Sequence, residues 1–210
     1  MKIGNWVFVG FLSVLAGAPT LGAQDAKQAE RAAMNRVKGN QNADVVVYEF
    51  ADFQCPYCAR FAREVFPRID SAYVKTGKVL WIFVNIPLPN HAHSWAAAEA
   101  AMCAGAVAER FWALHDRLFL QQAEWSPAAD PAPFFSKYAR EAGVPSEAFH
   151  ACVAGDRTAT LVIRDVLYAS NARVSGTPAF VINNDPIFVG MKSFEEWKEL
   201  LDAALKKPKQ

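Results

Sequence analysis

The tetrapeptide Cys55-Pro56-Tyr57-Cys58, which follows the apolar run at 45–50, constrains the fold of this 210-residue chain more than any other feature. Residues three apart share one face of a helix, so cysteines at this spacing can reach the Cα separation of about 5.5 Å that a disulfide needs. Pro56 suits the first helical position because its φ is already helical and its missing N–H would have had no partner there. The sequence therefore predicts a strand followed by a helix that begins with a redox-active dithiol.

The two cysteines are expected to differ in reactivity. Cys55 falls at the N-cap, where free backbone N–H groups and the positive end of the helix macrodipole favour the thiolate and lower the pKa from about 8.5. Cys58 lies one turn further into the helix, against the core. We therefore expect Cys55 to be the reactive sulfur, and Cys58 to be the partner that attacks or leaves from the buried side.

A Cys-x-x-Cys pair is also half of many zinc sites, which makes a metal centre the main alternative. The sequence has no second pair of this kind, and only His91 and His93 could add ligands. Their position favours another role, since Asn90 offers an N-cap for the Ala-rich helix predicted from Ala92 onward. We therefore predict neither a metal nor another cofactor.

Residues 1–23 have the features of a secretory signal peptide. Lys2 is their only charge, and a largely apolar core at 6–18 is followed by small residues suited to cleavage. The segment is too short to remain as a membrane-spanning helix. An uncleaved anchor stays open as an alternative, because Leu21 is unfavourable three residues before the expected cut. Export also fits an even number of cysteines, four in all, so we predict a periplasmic or secreted protein.

The rest of the chain alternates between strand and helix patterns. Two runs at 45–50 and 79–84 are apolar on both faces, and the helix between them, from Cys55 to about Tyr73, is expected to kink at Pro67. Strand, helix and strand of this type indicate a covered parallel sheet. The formal net charge of +1 and the absence of a basic run give no reason to expect a nucleic-acid partner.

The pattern changes twice more along the chain. Residues 25–38 predict a weakly amphipathic helix, which could dock on the domain, pack between subunits or remain a loosely held lead-in. Residues 91–172 follow a helical period throughout. Strand patterns then return at 178–182 and 187–189, before a last helix that a Ser193/Glu196 capping box begins.

These motifs, in this order, resemble the DsbA-like branch of the thioredoxin superfamily. The resemblance rests on the motif from Phe50 to Cys58, on the helical insertion and on the motif from Val174 to Phe180. It implies an α/β thioredoxin-like fold with a helical domain inserted between an N-terminal βαβ unit and a C-terminal ββα unit. The expected segments are a signal peptide (1–23), a helical lead-in (24–44), an N-terminal thioredoxin-like segment (45–90), the helical insertion (91–172) and a C-terminal thioredoxin-like segment (173–210).

The resemblance also implies roles for residues outside the dithiol. Glu49 matches the buried acid under the dithiol, which would exchange a proton with Cys58; the alternative is a strand carboxylate that faces solvent. Pro178 matches the cis-proline of the family, although an arbitrary X–Pro bond is cis in only about 5–6% of cases. Thr177 would offer its backbone edge to an extended client segment, and the alternative for Gly176 and Thr177 is an ordinary turn.

Function is expected to be protein-disulfide oxidoreduction. The first interpretation is an oxidase that introduces disulfides into thiol-containing clients and is recharged by a DsbB-like membrane partner. The second is a reductase or isomerase kept reduced by a DsbD-like partner, and the third is a non-enzymatic metal-binding or client-binding module. Tyr57 stands where the strongest oxidants of the family carry His, and because it supplies no positive charge we expect a less oxidising couple.

Cys103 and Cys152 are predicted to form a structural disulfide within the helical insertion. Both lie on Ala-rich or apolar surfaces of an exported chain, where two reduced cysteines would be unusual. Members of this branch with a second cysteine pair look similar. The alternative is two unconnected core cysteines.

Overall fold

The computed structural model describes residues 21–207. Ten α-helices occur over this range: α1 Leu21–Asn35, α2 Pro56–Glu64, α3 Phe66–Ile69, α4 Ser94–Ala108, α5 Phe111–Leu120, α6 Gln122–Trp125, α7 Ala132–Glu141, α8 Ser146–Ala154, α9 Ala159–Asn171 and α10 Phe194–Lys206. One π-helical turn, Asp70–Val74, follows α3. The strands are β1 Val37–Gly39, β2 Val45–Ala51, β3 Val79–Asn85, β4 Ala179–Ile182 and β5 Phe188–Val189.

The strands form one mixed sheet in the order β1-β3-β2-β4-β5. Strands β2 and β3 are parallel, in a register that pairs Glu49 with Phe83. Strand β4 runs antiparallel to β2 and places Phe180 beside Glu49. The predicted βαβ and ββα units are therefore present, with the helices α4–α9 between them, and the predicted fold class is confirmed.

Each face of the sheet is covered, which explains the continuous apolar pattern of its central strands. Alternate side chains of β2 point to opposite faces. On one face Val45, Val47 and Trp81 pack against α2, α3 and α10. On the other face the ring of Tyr168, from α9, lies 5.6 Å from that of Phe50.

The apolar core of the helical insertion is organised around α4 and is continuous with Cys55 and Cys58 of the dithiol. Most side chains of α4 are buried, because α1, α5, α7, α8 and α9 all pack around it. A disulfide joins Cys103 of α4 to Cys152 of α8 across a separation of 49 residues. The insertion thus packs against α2 as well as against the sheet, where α9 covers one face.

The N-terminal segment differs from the predicted helix over 25–38. Helix α1 ends at Asn35, and Val37–Gly39 forms β1, an antiparallel edge strand on β3. An ion pair of 3.1 Å joins the ammonium group of Lys38 to the buried carboxylate of Asp70. The sequence pattern does not indicate this strand, because it has only three residues and the charge of Lys38 is compensated by Asp70, which is distant in the chain.

Two predicted helix boundaries are also wrong. The helix after Cys55 breaks at Val65 rather than at Pro67, because Pro67 takes an early position of α3, where a missing N–H costs nothing. Helix α4 begins at Ser94, with His93 instead of Asn90 before its first residue. The predicted capping box is confirmed, since Ser193 and Glu196 exchange both hydrogen bonds at the start of α10.

The predicted signal peptide, 1–23, lies outside the described residues except for its last three positions, which belong to α1. Across residues 21–207, no helix combines the length and apolar character needed to cross a membrane.

Candidate active site

The dithiol lies at the start of α2, where the sequence predicts it. Cys55 is the N-cap residue, with extended backbone angles, and Pro56 is the first helical residue. Both cysteines are free thiols and both are buried. Tyr57, between them, is 63% exposed, so this side chain is presented to whatever approaches the dithiol.

The surroundings of the two sulfurs separate their acidities. A hydrogen bond from Cys58 is the main cause that lowers the pKa of the Cys55 thiol to about 6, and backbone N–H groups of Tyr57 and Cys58 act in the same direction. Burial raises the pKa of Cys58 well above its ordinary value, and the neighbouring Cys55 raises it further. The pair therefore holds a thiolate on Cys55 and a proton on Cys58 at neutral pH.

The motif from Val174 to Phe180 lies next to Cys55. The peptide bond between Thr177 and Pro178 is cis, and the carbonyl oxygen of Thr177 lies 3.4 Å from Sγ of Cys55. The carbonyl of Pro178 accepts a hydrogen bond of 2.7 Å from the N–H of Gly190. The structure therefore brings Cys55, Thr177 and Pro178 together.

Glu49 is buried in the sheet rather than facing solvent, with 1% of its surface exposed. The indole N–H of Trp81 donates a hydrogen bond of 2.7 Å to Oε2, whereas Oε1 has no partner in the described structure. Burial raises the pKa of Glu49 to about 8, against the opposing effect of the Trp81 hydrogen bond. This carboxyl group can consequently gain or lose a proton near neutral pH.

Glu49 lies beneath the face of α2 that carries Phe61. Phe61, one helical turn after Cys58, packs its ring 4.7 Å from that of Phe180 and 6.1 Å from that of Trp81. Phe180 is the β4 partner of Glu49, and Trp81 is its hydrogen-bond donor. The carboxyl group is therefore enclosed between the inner face of α2 and the sheet.

Asp52 organises the loop that leads to the dithiol, a role that the sequence analysis missed. Its buried carboxylate accepts hydrogen bonds of 2.7 Å from the N–H groups of Gln54 and Leu88, and Nδ1 of His91 lies 2.8 Å from Oδ2. Its backbone carbonyl accepts from the N–H of Cys55 at 3.1 Å. One residue thus fixes both the turn into α2 and the loop after β3.

Two glutamines attach the insertion to the same loop. The side-chain amide of Gln122, at the start of α6, donates to the carbonyls of Phe53 and Cys55 at 2.7 and 3.0 Å. Gln54 donates to the carbonyl of Ser126 and accepts from the N–H of His93. Sequence patterns could not reveal these contacts, because the partners lie 39 to 72 residues apart.

The histidines weighed as zinc ligands have other contacts. His91 meets Asp52, and Nε2 of His93 lies 2.8 Å from the carbonyl oxygen of Ala128. Among residues 21–207, no three His, Cys, Asp or Glu side chains are grouped so as to hold a metal ion.

A thioredoxin-like sheet, a dithiol at a helix start and a facing cis-proline define a protein of the thioredoxin class. A protein-family model described as thioredoxin matches residues 31–203. The chain belongs to this family.

The curated relatives include proteins of two kinds. The chain is 26% identical over 175 residues to a putative protein-disulfide oxidoreductase of Rickettsia felis, covering 83% of this chain and 61% of that protein. It is 34% identical over 150 residues to Na(+)/H(+) antiporter NhaA 3 of Salinispora tropica, covering 71% of this chain and 22% of the relative. The chain therefore spans less than two thirds of the length of these relatives.

Solved structures share the fold over nearly their whole length. Oxidised BdbD from Bacillus subtilis superimposes with a TM-score of 0.75 at 25% identity, covering 82% of this chain and 93% of that one. Wolbachia pipientis alpha-DsbA1 gives a TM-score of 0.72 at 24% identity, covering 81% and 90%. The predicted resemblance to DsbA-like proteins is confirmed.

Proposed function

We propose that this protein is an exported thiol:disulfide oxidoreductase that introduces disulfides into client proteins through Cys55 and Cys58. The observation that carries the proposal is the asymmetry of the dithiol. The pKa of Cys55 is lowered to about 6, whereas that of Cys58 is raised. A thiolate that the fold stabilises is a good leaving group, so the oxidised pair passes its disulfide on readily.

The exchange proceeds in two displacements. A client thiolate attacks Sγ of Cys55 in the Cys55–Cys58 disulfide; the S–S bond breaks, and Cys58 leaves as a thiolate and is protonated by Glu49. A second client thiolate then attacks the client sulfur of the mixed disulfide and expels Cys55 as a thiolate. The client has lost two electrons, and the dithiol has gained them.

The backbone around Pro178 is proposed to hold the client during these steps. Thr177 has a carbonyl oxygen next to Sγ of Cys55, where an extended client segment could pair with the backbone regardless of its side chains. The exposed ring of Tyr57 lies between the two cysteines. It would contribute an uncharged contact to many client sequences.

The acidity of Cys55 indicates an intermediate redox potential. The nucleophilic cysteine of thioredoxin has a pKa of about 7 and that of DsbA about 3.5, and the corresponding potentials are about −270 and −120 mV. A pKa of about 6 for Cys55 lies between them. We expect the couple to oxidise most client dithiols while being less oxidising than DsbA.

The uncharged Tyr57 also supports a second candidate function, a reductase or isomerase. A couple with an intermediate potential works in the direction that its recharging partner imposes. A DsbB-like membrane partner would make the protein an oxidase, and a DsbD-like partner would make it a reductase or isomerase. Export by the predicted signal peptide would place either reaction in the periplasm or outside the cell.

Two measurements test the proposal. Equilibration of the purified protein in glutathione buffers should give a potential between about −120 and −270 mV. Alkylation trapping of Cys55 and Cys58 in growing cells should find them mostly oxidised. A mostly reduced pair would replace the oxidase assignment with the reductase or isomerase, and a protein without dithiol exchange in the purified state would contradict both.

A further inference from the structure

The contact between Trp81 and Glu49 distinguishes the two oxygens of the buried carboxyl group. Oε2 accepts the indole N–H at 2.7 Å, while Oε1 is buried and has no hydrogen-bond partner among the described residues. The indole N–H of Trp81 already occupies a lone pair of Oε2. A proton placed on Oε2 would compete with this donor, whereas a proton on Oε1 would not. The proton of neutral Glu49 is therefore favoured on Oε1.

We propose that Trp81 is a positioning residue for the proton transfer that accompanies exchange: its indole N–H holds Oε2 and keeps the mobile proton of Glu49 on Oε1. This inference rests on the proposed function, in which Cys58 leaves as a thiolate. The Oε1–H bond then breaks and an S–H bond forms on Cys58, so that a carboxylate and a thiol replace a carboxylic acid and a thiolate. The reverse transfer restores the proton to Oε1 when the dithiol is reoxidised.

The packing around Trp81 makes it a rigid donor. Its side chain is fully buried, and its ring packs against those of Phe66 and Trp197, with centroids 5.0 and 5.4 Å away. The strand register fixes the position of Trp81 along the sheet. Trp81 is paired with Val47, which lies two residues before Glu49 on the same face of β2. The indole N–H can therefore stay on Oε2 without moving when the carboxyl group ionises.

The charged groups around this site do not provide an alternative donor. Asp116 of α5 acts on Glu49 through its charge and raises its pKa, and the adjacent His115 is buried with Nδ1 on Asp116. Lys38 of β1 is paired with Asp70. In the described structure Trp81 is thus the one side chain that donates a hydrogen bond to Glu49.

The chain offers a matched control for testing this role. Trp197 of α10 is also fully buried in the same aromatic cluster, but its indole nitrogen has no hydrogen-bond partner in the described residues. Trp81→Phe and Trp197→Phe therefore remove the same atoms from one cluster. Only the first removes a donor to Glu49.

The primary readout is the Glu49 carboxyl carbon, followed by 13C NMR against pH in the reduced protein and assigned with Glu49→Gln. Loss of a hydrogen bond to the ionised form should raise the Glu49 midpoint by about one pH unit in Trp81→Phe. Trp197→Phe should shift it by no more than about 0.3 unit. Equal shifts in the two variants, or none in Trp81→Phe, would overturn the proposal.

A second measurement needs no tryptophan variant and decides the question even if Trp81→Phe does not fold. The indole 15N–1H resonance of Trp81 in the wild-type protein should move with the same midpoint as Glu49 and should stop moving in Glu49→Gln. If the Trp81 resonance did not shift over the pH range in which Glu49 titrates, the inference would be overturned. Both readouts are independent of client oxidation, so they remain valid if the proposed function fails.

The link to exchange is tested by a double-mutant cycle. Trp81→Phe should move the pH profile of the step that releases Cys58 upward by the same amount as the Glu49 midpoint. In the Glu49→Gln background, the same substitution should leave the profile in place. An undiminished shift in that background would show that Trp81 acts on the dithiol by another route.

Discussion

The thiol of Cys55 lies against the backbone carbonyl of Thr177, with the sulfur and oxygen 3.4 Å apart. At neutral pH the reduced protein holds Cys55 as a thiolate, because its pKa is lowered to about 6. The carbonyl oxygen of Thr177 therefore remains free to accept a hydrogen bond in both redox states. A client backbone N–H is the donor that an extended segment beside Cys55 would supply. The contact thus places an acceptor for the client backbone next to the sulfur that the client attacks.

Substitution of the two cysteines should have different effects. Cys55→Ser removes the reactive sulfur and should abolish exchange. Cys58→Ser keeps Cys55 but removes the neighbouring sulfur that can displace a bound client, so it should accumulate mixed disulfides with clients. Alkylation of wild-type Cys55 should rise with pH around a midpoint near 6, as its lowered pKa requires. Nonreducing gels and timed iodoacetamide labelling measure these effects. An active Cys55→Ser protein would contradict the mechanism.

A positive charge beside the dithiol should make the couple more oxidising. Tyr57→His places an imidazole at a position where the native side chain is 63% exposed. The protonated imidazole should lower the Cys55 pKa further and raise the redox potential of the couple. Each 1.4 kcal/mol of added thiolate stabilisation corresponds to about 30 mV. Glutathione titration measures the change, and Tyr57→Phe, which adds no charge, is the control. A potential that stays the same in Tyr57→His would refute the electrostatic argument.

Glu49 should reduce the stability of the fold as pH rises. Its pKa is about 8 in the folded protein, raised from 4.5 by burial. The folded state therefore binds more protons than the unfolded state between these values, and the stability present below pH 4.5 is lost as pH approaches 8. Glu49→Gln should accordingly gain stability over the wild type across this window. Urea unfolding at pH 5 and pH 8 measures the difference, which should be larger at pH 8.

The Cys103–Cys152 disulfide should be structural and should resist mild reduction. Neither cysteine begins a helix or has an exposed sulfur, since both are buried within α4 and α8. Closing a loop with a sequence separation of 49 residues stabilises the fold by about 4 kcal/mol in the chain-entropy treatment. The Cys103→Ala/Cys152→Ala double variant should therefore unfold at lower denaturant concentration.

Peptide mapping provides the complementary test of this disulfide. After mild reduction of the native protein, alkylation should label Cys55 and Cys58 and leave Cys103 and Cys152 joined. Recovery of labelled Cys103 and Cys152 under those conditions would eliminate a structural role for the bond.

Gln122 is expected to hold the dithiol in place, although Gln122 and Cys55 are 67 residues apart in the chain. Its amide donates to the carbonyls of Phe53 and Cys55, and Gln122→Ala would leave both without that donor at a cost of about 1–3 kcal/mol. We expect lower stability and slower exchange, measured by urea unfolding and by insulin reduction. The control is Gln121→Ala, since the side chain of Gln121 makes no hydrogen bond in the described structure. Equal losses in both variants would count against an alignment role.

The sequence predicted those features of the site that depend on local geometry. The N-cap position of Cys55 follows from Pro56 and the preceding strand, which are its neighbours in the chain. Pattern and capping chemistry therefore suffice for this feature. The buried position of Glu49 was implied by the family resemblance, and β2 buries it on the same face as Val45 and Val47.

The missed features depend on contacts between distant segments. Asp52 is one acidic residue in a motif, and only the folded loop after β3 brings Leu88 and His91 to its carboxylate. The short strand β1 exists because β3 offers it an edge. Neither contact leaves a periodic signal in the sequence.

The insertion between β3 and β4 also determines when the active site can be completed. Cys55 and Thr177 are 122 residues apart in the chain, so synthesis delivers the dithiol long before its partner loop. At 5–20 residues per second, a rate typical of translation, this interval lasts roughly 6–25 seconds. During that time the four cysteines are synthesised in the order 55, 58, 103 and 152, so both partners of the Cys103–Cys152 disulfide exist before Thr177 is added to the chain.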